Sequence, residues 1–288
     1  MSYFVNDIYW EYRFSLGDAN FVFFSNINSV GEAPHKGLLH SHKLYELFHV
    51  LQGDMTLVAD SERTIINRGD TVIIAPGTTH TTNIHPAAKR FCMIFTVEKN
   101  PAVQDSNYYD SFQKILEGDI IWLDSQLLTP CFERCAQYVK SEYPEKDELI
   151  TACLHEIMAL IKATNSHGEN HPQINTFSDT DSSRTYLIDH YFTHSFQHGS
   201  LTELSELLHL SSQQTQRIIK KMYGQSFSER LTMMKMELAK TLLQDTNLLV
   251  TEIAEKCGYT GPNGFFVAFK KYFGKTPNKL KRKANRTV

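Results

Sequence analysis

The sequence contains no run of eighteen apolar residues, which argues against a membrane-spanning helix. It is poor in cysteine: five residues (Cys92, Cys131, Cys135, Cys153 and Cys257), an odd number without regular spacing, exclude a disulfide framework and suit a reducing compartment. The first fourteen residues intersperse Asp7, Glu11 and Arg13 among aromatics, so they lack the apolar core of a secretion signal; a cytoplasmic protein is expected. Net charge is also scarce, −3 over 288 residues.

That small sum conceals a strong division. Residues 1–182 carry 13 basic and 24 acidic side chains, a balance of −11, whereas residues 183–288 carry 16 basic and 8 acidic, a balance of +8. A basic C-terminal part on an acidic N-terminal part points to a polyanionic partner for the former, with nucleic acid the obvious class.

Three zones follow. From Phe21 to Val97, short runs rich in Val, Ile, Phe and Thr (21–24, 45–51, 55–58, 71–74 and 91–97) alternate with turn signals such as Gln52-Gly53-Asp54 and Arg68-Gly69-Asp70. This reads as an antiparallel β-barrel over about 20–100. Over about 105–163 the period lengthens: Phe132, Cys135, Tyr138 and Val139 form one stripe, and Leu149, Cys153, Leu154, Ile157, Leu160 and Ile161 another, beyond a Tyr143-Pro144 break. Residues 164–182 are polar and punctuated by Gly and Pro, a linker between a domain over 1–163 and one over 183–288.

Beyond Ser183 the pattern is helical throughout. Ser200…Glu203, Ser211…Gln214 and Ser226…Glu229 are capping boxes, and Pro262 suits a first helical turn. A short helix over 201–209 followed by one over 212–223 forms a helix-turn-helix, whose second helix enters the major groove. Its polar face is Ser212, Gln213, Gln216, Arg217 and Lys220: glutamine suits adenine, arginine guanine, lysine phosphate. The arrangement repeats at 251–257 and 262–273, across an intervening helix over 228–243.

With Ala239, Leu242-Leu243, Ile253-Ala254, Gly258-Tyr259, Phe265, Phe269-Lys270-Lys271, Gly274 and Thr276-Pro277 in place, this region resembles the signature of AraC-type transcription regulators. The likeness extends back through Ser211, Arg217, Lys220 and Gly224 and covers about 100 residues. It implies two recognition helices in consecutive major-groove turns, with Gln213, Gln216 and Arg217 facing bases from the first and Asn263, Gly264 and Val267 from the second. Val267 stands where the family often has Arg, and Gly264 has no side chain, so Asn263 is the second helix's candidate base contact. Lys270, Lys271, Lys275 and the basic run from Lys279 to Lys283 are expected on phosphates.

The β zone holds His40-x-His42-x3-Glu46-x6-Gly53 and then Gly69-Asp70…Pro76-Gly77-x2-His80. If His40, His42 and Glu46 lie on one strand, the period of two sets them on one face, where a divalent metal finds imidazole and carboxylate donors with His80 as a fourth. The two segments resemble the paired motifs of the cupin barrel, with departures at Pro34, Ala75 and Ile84. The resemblance implies either metal ligands or polar groups at the mouth of a small-molecule pocket; inherited structural residues are the third reading. The arm Tyr3, Phe4, Tyr9, Trp10, Tyr12 and Phe14 suits core or a lid, and Cys131 with Cys135 suits small buried hydrophobes.

The expectation is an α+β chain of two domains: a cupin-like barrel with flanking helices, then an all-α domain with two helix-turn-helix units. Its function is expected to be a non-enzymatic, effector-responsive regulator, an activator by family resemblance. Double-stranded DNA, a small effector, RNA polymerase and a second copy joined through the 131–163 helices are its partners. The alternatives are a metal-dependent cupin enzyme with a helical appendage, and a DNA-binding protein whose barrel only dimerises.

Overall fold

The computed structural model describes residues 2–5, 9–25, 30–31, 35–59, 62–124, 126–165 and 179–280. The chain forms two compact units, Met1–Gly37 with Ser41–Tyr186, and Leu187–Val288 with the short stretch Leu38–His40. No helix among the described residues is long and apolar enough to cross a membrane.

The first unit is built of two antiparallel sheets. The larger runs in the order β1 (Ser2–Val5), β2 (Tyr9–Leu16), β3 (Ala19–Ser25), β11 (Lys89–Lys99), β6 (Tyr45–Gln52), β9 (Thr71–Ile74), β12 (Ile120–Leu123), with β4 (Val30–Gly31) also on β11. The smaller has the order β5 (His35–Lys36), β10 (His80–Ile84), β7 (Asp54–Ala59), β8 (Glu62–Asn67). All five runs expected as strands are strands. The alternation along β6 explains why its sequence is nearly all apolar: both faces are covered. Phe48 and Val50 join Val72 and Ile74 of β9 against Met55, Leu57 and Ile66 of the smaller sheet. Tyr45 and Leu47 point the other way, into a core shared with three helices, α1 (Tyr108–Ile115), α2 (Thr129–Val139) and α3 (Lys146–Asn165).

The N-terminal arm belongs to this architecture. Tyr9 and Tyr12 of β2 are buried, and Phe14 stacks on Phe21 and Phe23 of β3, so the described part of the arm is core and not a lid. Tyr3 and Phe4 lie on β1, but their side chains fall outside the description. Cys131, Cys135 and Cys153 are buried between α2 and α3, as small core residues are. Several elements were not expected: β1 and β2 in the arm, β4, β5, β8 and β10 within the two sheets, α1, which precedes the two expected helical stripes and buries Tyr109, Phe112 and Ile115, and β12, which extends the sheet beyond β9. Of the expected linker, 164–165 continue α3, Asp179 begins α4 (Asp179–Ser195), and residues 166–178 lie outside the described residues.

The second unit is helical: the end of α4, then α5 (Leu201–Leu207), α6 (Ser212–Tyr223), α7 (Phe227–Asp245), α8 (Val250–Lys256), α9 (Pro262–Phe273) and α10 (Pro277–Leu280). Ser211 and Ser226 form full capping boxes with Gln214 and Glu229. Ser200 does not: its side chain accepts from the Glu203 amide, but the Glu203 carboxylate is taken by the Tyr191 hydroxyl, and the Ser200 amide donates to that same hydroxyl. A buried tyrosine has replaced half of the box. Arg230 is also buried here, over the Tyr223 ring at 3.4 Å and the Phe192 ring at 5.1 Å.

Two tests follow from these packings. Gly258 has φ +74° and a Cβ there would stand 1.9 Å from the Gln197 carbonyl oxygen, whereas Gly274 has φ +67° with nothing within 4 Å. Gly274→Ala should cost only the left-handed penalty, about 1 kcal/mol; Gly258→Ala should cost at least twice as much, measured as loss of helical signal in denaturant. His49, fully buried and stacked on Phe132, bonds Thr71 through Nδ1 while its Nε2 has no partner among the described residues; burial pushes its pKa down to about 4. Between its ordinary value of about 6.5 and 4, the unfolded chain takes up a proton that the folded chain refuses, so stability falls as pH falls, by up to about 1.4 kcal/mol per unit. His49→Gln should flatten the stability–pH profile in that window by about one proton; parallel profiles would refute the assignment.

Candidate nucleic-acid interface and candidate metal centre

The helical unit contains one motif twice. In α5 and α8, Leu204 and Ile253 are buried, followed by the small buried Ser205 and Ala254. Each helix then ends in the same turn. The His209 amide donates to the Glu206 carbonyl as Gly258 does to Glu255, and the next residue reaches back five, Leu210 to Ser205 and Tyr259 to Ala254. Both turns need a left-handed residue, and the first meets this need with His209 at φ +53°. Helices α6 and α9 are then 12 residues each and end on left-handed glycines, Gly224 and Gly274.

This repeat fixes which faces are free. In α6, Thr215 and Ile219 are buried; fifty positions on, Phe265 and Phe269 of α9 are buried. The opposite side of α6 carries Ser212, Gln213, Arg217 and Lys220, all exposed, with Gln216 half-buried at its edge. On α9 the corresponding stripe is Asn263, Val267, Lys270 and Lys271, all exposed. The expected DNA-facing residues of α6 and α9 therefore lie on two equivalent helix faces. Lys275 and Lys279 are also exposed; residues 281–283 of the basic tail lie outside the described residues. Between the motifs α7 runs for 19 residues, about 28 Å at 1.5 Å each.

The donor cluster around Glu46 is assembled differently from the expectation. His40 and His42 are not on a regular strand: they sit in the loop that leads into β6, and Glu46 is the second residue of that strand. Loop geometry, and not the period of two, brings them together. Each imidazole is pinned by a backbone carbonyl on Nδ1: Leu38 for His40 at 2.8 Å, Leu44 for His42 at 2.7 Å, Thr78 for His80 at 3.0 Å. A carbonyl only accepts, so Nδ1 carries the hydrogen and Nε2 is left to face the site. The Nε2 atoms of His42 and His80 approach the same Glu46 oxygen, at 3.1 and 3.0 Å. One donor atom from each of His40, His42, Glu46 and His80 lies within 4.8 Å of the others.

The chemistry of this set calls for protons or a metal ion between its members. Nε2 lone pairs and a carboxylate are all acceptors, so the cluster holds together only through protons or through a metal ion. Burial would raise the Glu46 pKa, but hydrogen bonds and charge from His42 and His80 outweigh it and hold the carboxyl well below the usual range. The other Glu46 oxygen accepts from the Cys92 thiol at 3.3 Å. The sequence motifs do not contain Cys92; only the β6–β11 register, Glu46 opposite Ile94, brings it beside the carboxylate. His85 is bound to Asp54 and Thr56 and takes no part.

Comparison with known proteins agrees with both halves. A helix-turn-helix domain model matches residues 204–283, and a cupin domain model matches residues 30–96. The chain is 34% identical over 96 residues to the uncharacterized HTH-type transcriptional regulator YtdP of Bacillus subtilis, and 30% identical over 89 residues to the Msm operon regulatory protein of Streptococcus mutans. These matches cover 33% and 30% of this chain but only 12% and 32% of those relatives. Among solved structures, the C-terminal domain of AraT, a response regulator from Geobacillus stearothermophilus, is 34% identical across 38% of this chain and 90% of its own, with a TM-score of 0.32. The chain thus carries an AraC-type helix-turn-helix domain behind a cupin domain, and its C-terminal part is similar to transcriptional regulators.

Proposed function

We propose that the protein is a sequence-specific DNA-binding transcription regulator whose N-terminal module responds to a small ligand. The observation that carries this reading is the pair of equivalent exposed faces on α6 and α9, each backed by a buried apolar pair. The second helix of such a motif lies in the major groove. Gln213, Gln216 and Arg217 supply the hydrogen-bonding base contacts, and Lys220, Lys270 and Lys271 supply phosphate contacts that add affinity. Ser212 and Asn263, near the N-termini of the two helices, complete the surface. In this reading residues 1–163 sense and dimerise, 164–182 connect, and 183–288 bind DNA, with α2 and α3 joining two copies. Activation through RNA polymerase in the cytoplasm is the corresponding cellular role. A metal-dependent enzyme with a helical appendage would leave the repeated motif without a task.

The ligand site of this reading is the cluster of His40, His42, Glu46 and His80. The donor set fits a divalent metal, since three imidazoles held through Nδ1 and one carboxylate bring a donor atom each within 4.8 Å of the others, where an ion could replace the protons that otherwise join them. An ion there would supply a positive centre for an oxygen-bearing effector, while the same side chains without it form a polar anchor for the effector itself.

Two measurements test these proposals. Binding to DNA from upstream of the protein's own gene should weaken steeply with salt. Arg217→Ala should cost about 1–3 kcal/mol and relax sequence choice, while Lys270→Ala with Lys271→Ala should lower the salt slope by about two without relaxing it. Absent or salt-insensitive binding would overturn the DNA reading. For the metal, the purified protein should bind Co²⁺ or Zn²⁺ stoichiometrically, and His42→Ala with His80→Ala should abolish it; a wild type that binds neither ion leaves the cluster as an effector anchor.

A further inference from the structure

We propose that Val267 reads the C5-methyl group of a thymine, so that the two recognition helices use opposite chemistries at the same position. This rests on the reading of the chain as a major-groove DNA binder. The internal repeat places Val267 of α9 where α6 has Arg217, six residues into each helix. Val267 is 71% exposed, more than any other large apolar side chain described. Its neighbours do not share this exposure: Phe266 and Ala268 are half-buried, and Phe265 and Phe269 are buried.

A β-branched residue gains nothing from such a place in an isolated helix. Valine has lower helix propensity than arginine or lysine, and here it leaves its methyl groups in water. Its surroundings are those of a nucleic-acid contact, with Lys270 and Lys271 one turn on and Asn263 one turn back on the same exposed stripe. In the major groove, base edges present donors and acceptors at every pair, and one apolar group, the thymine methyl. Gly264, also on this side, has no side chain to hold the helix away from the bases; even a Cβ there would meet nothing closer than the Tyr259 ring at 3.7 Å. Asn263 suits adenine. The second unit is thus built for A·T pairs, whereas Arg217 and its neighbours in the first suit a segment that contains guanine.

The test uses the full chain and duplexes selected by it from a random pool. Each thymine of the selected site is replaced singly by uracil, which removes only the methyl. At one thymine, in the segment lacking the Arg217 contact, uracil should weaken binding by the wild type about fourfold, the worth of one buried methyl. Val267→Ala should bind the thymine and uracil duplexes equally, while Arg217→Ala should keep the fourfold difference. A wild type indifferent to uracil at every position, or a Val267→Ala protein that keeps the difference, would overturn the proposal. A chain that selects no sequence at low salt would overturn the DNA reading itself, and this inference with it.

Discussion

The tight turn between the two helices of each motif is the constraint on which the helical unit depends. Three hydrogen-bonded residues after α5 and after α8 reverse the chain through one left-handed position, His209 in one case and Gly258 in the other. A turn so short leaves the following helix a single choice of buried face. Thr215 and Ile219, or Phe265 and Phe269, go inward. The residues half a turn away then have to face solvent, and these are the side chains able to address bases. Recognition chemistry is thus a by-product of where the turn points the helix.

The two motifs meet this constraint unequally. Gly258 lies against the Gln197 carbonyl, so its lack of a side chain serves both the φ angle and the close approach. His209 takes the same conformation with a full side chain and carries the backbone cost that entails. In the cupin half the equivalent constraint is electrostatic. Three backbone carbonyls hold three imidazole rings through Nδ1, so that His42 and His80 meet Glu46 through Nε2, with protons or a metal ion needed between them.

Much of this was legible from the sequence, for physical reasons that differ by element. The limits of α6 and α9 coincide with the expected 212–223 and 262–273, because a serine cap or a proline starts each and a glycine ends it. The exposed face of α6 follows from helical periodicity, whereas that of α9 was read from the family resemblance. The donor cluster was also legible, but for the wrong reason: His40 and His42 lie in a loop, whose convergence no periodicity describes. Helix α1 and strand β12, like the short strands β1, β4, β5, β8 and β10, went unseen because each takes its stability from the sheets and not from its own pattern. The Tyr191 hydroxyl that displaces half of the Ser200 capping box, and the Cys92 thiol beside Glu46, are tertiary contacts across 9 and 46 positions, beyond any local rule. Val267 was visible as a departure from the family pattern, but its exposure is what turns a missing contact into a different one.

In the proposed complex α6 and α9 lie in adjacent major-groove segments and read them by different chemistries. Footprinting of the full chain on a selected duplex, by hydroxyl radicals for the backbone and by guanine N7 methylation for the groove, tests it directly. Two backbone-protected patches are expected on one face, about 10 base pairs apart, with guanine protection confined to one of them. A single patch, or guanine protection in both, would contradict it.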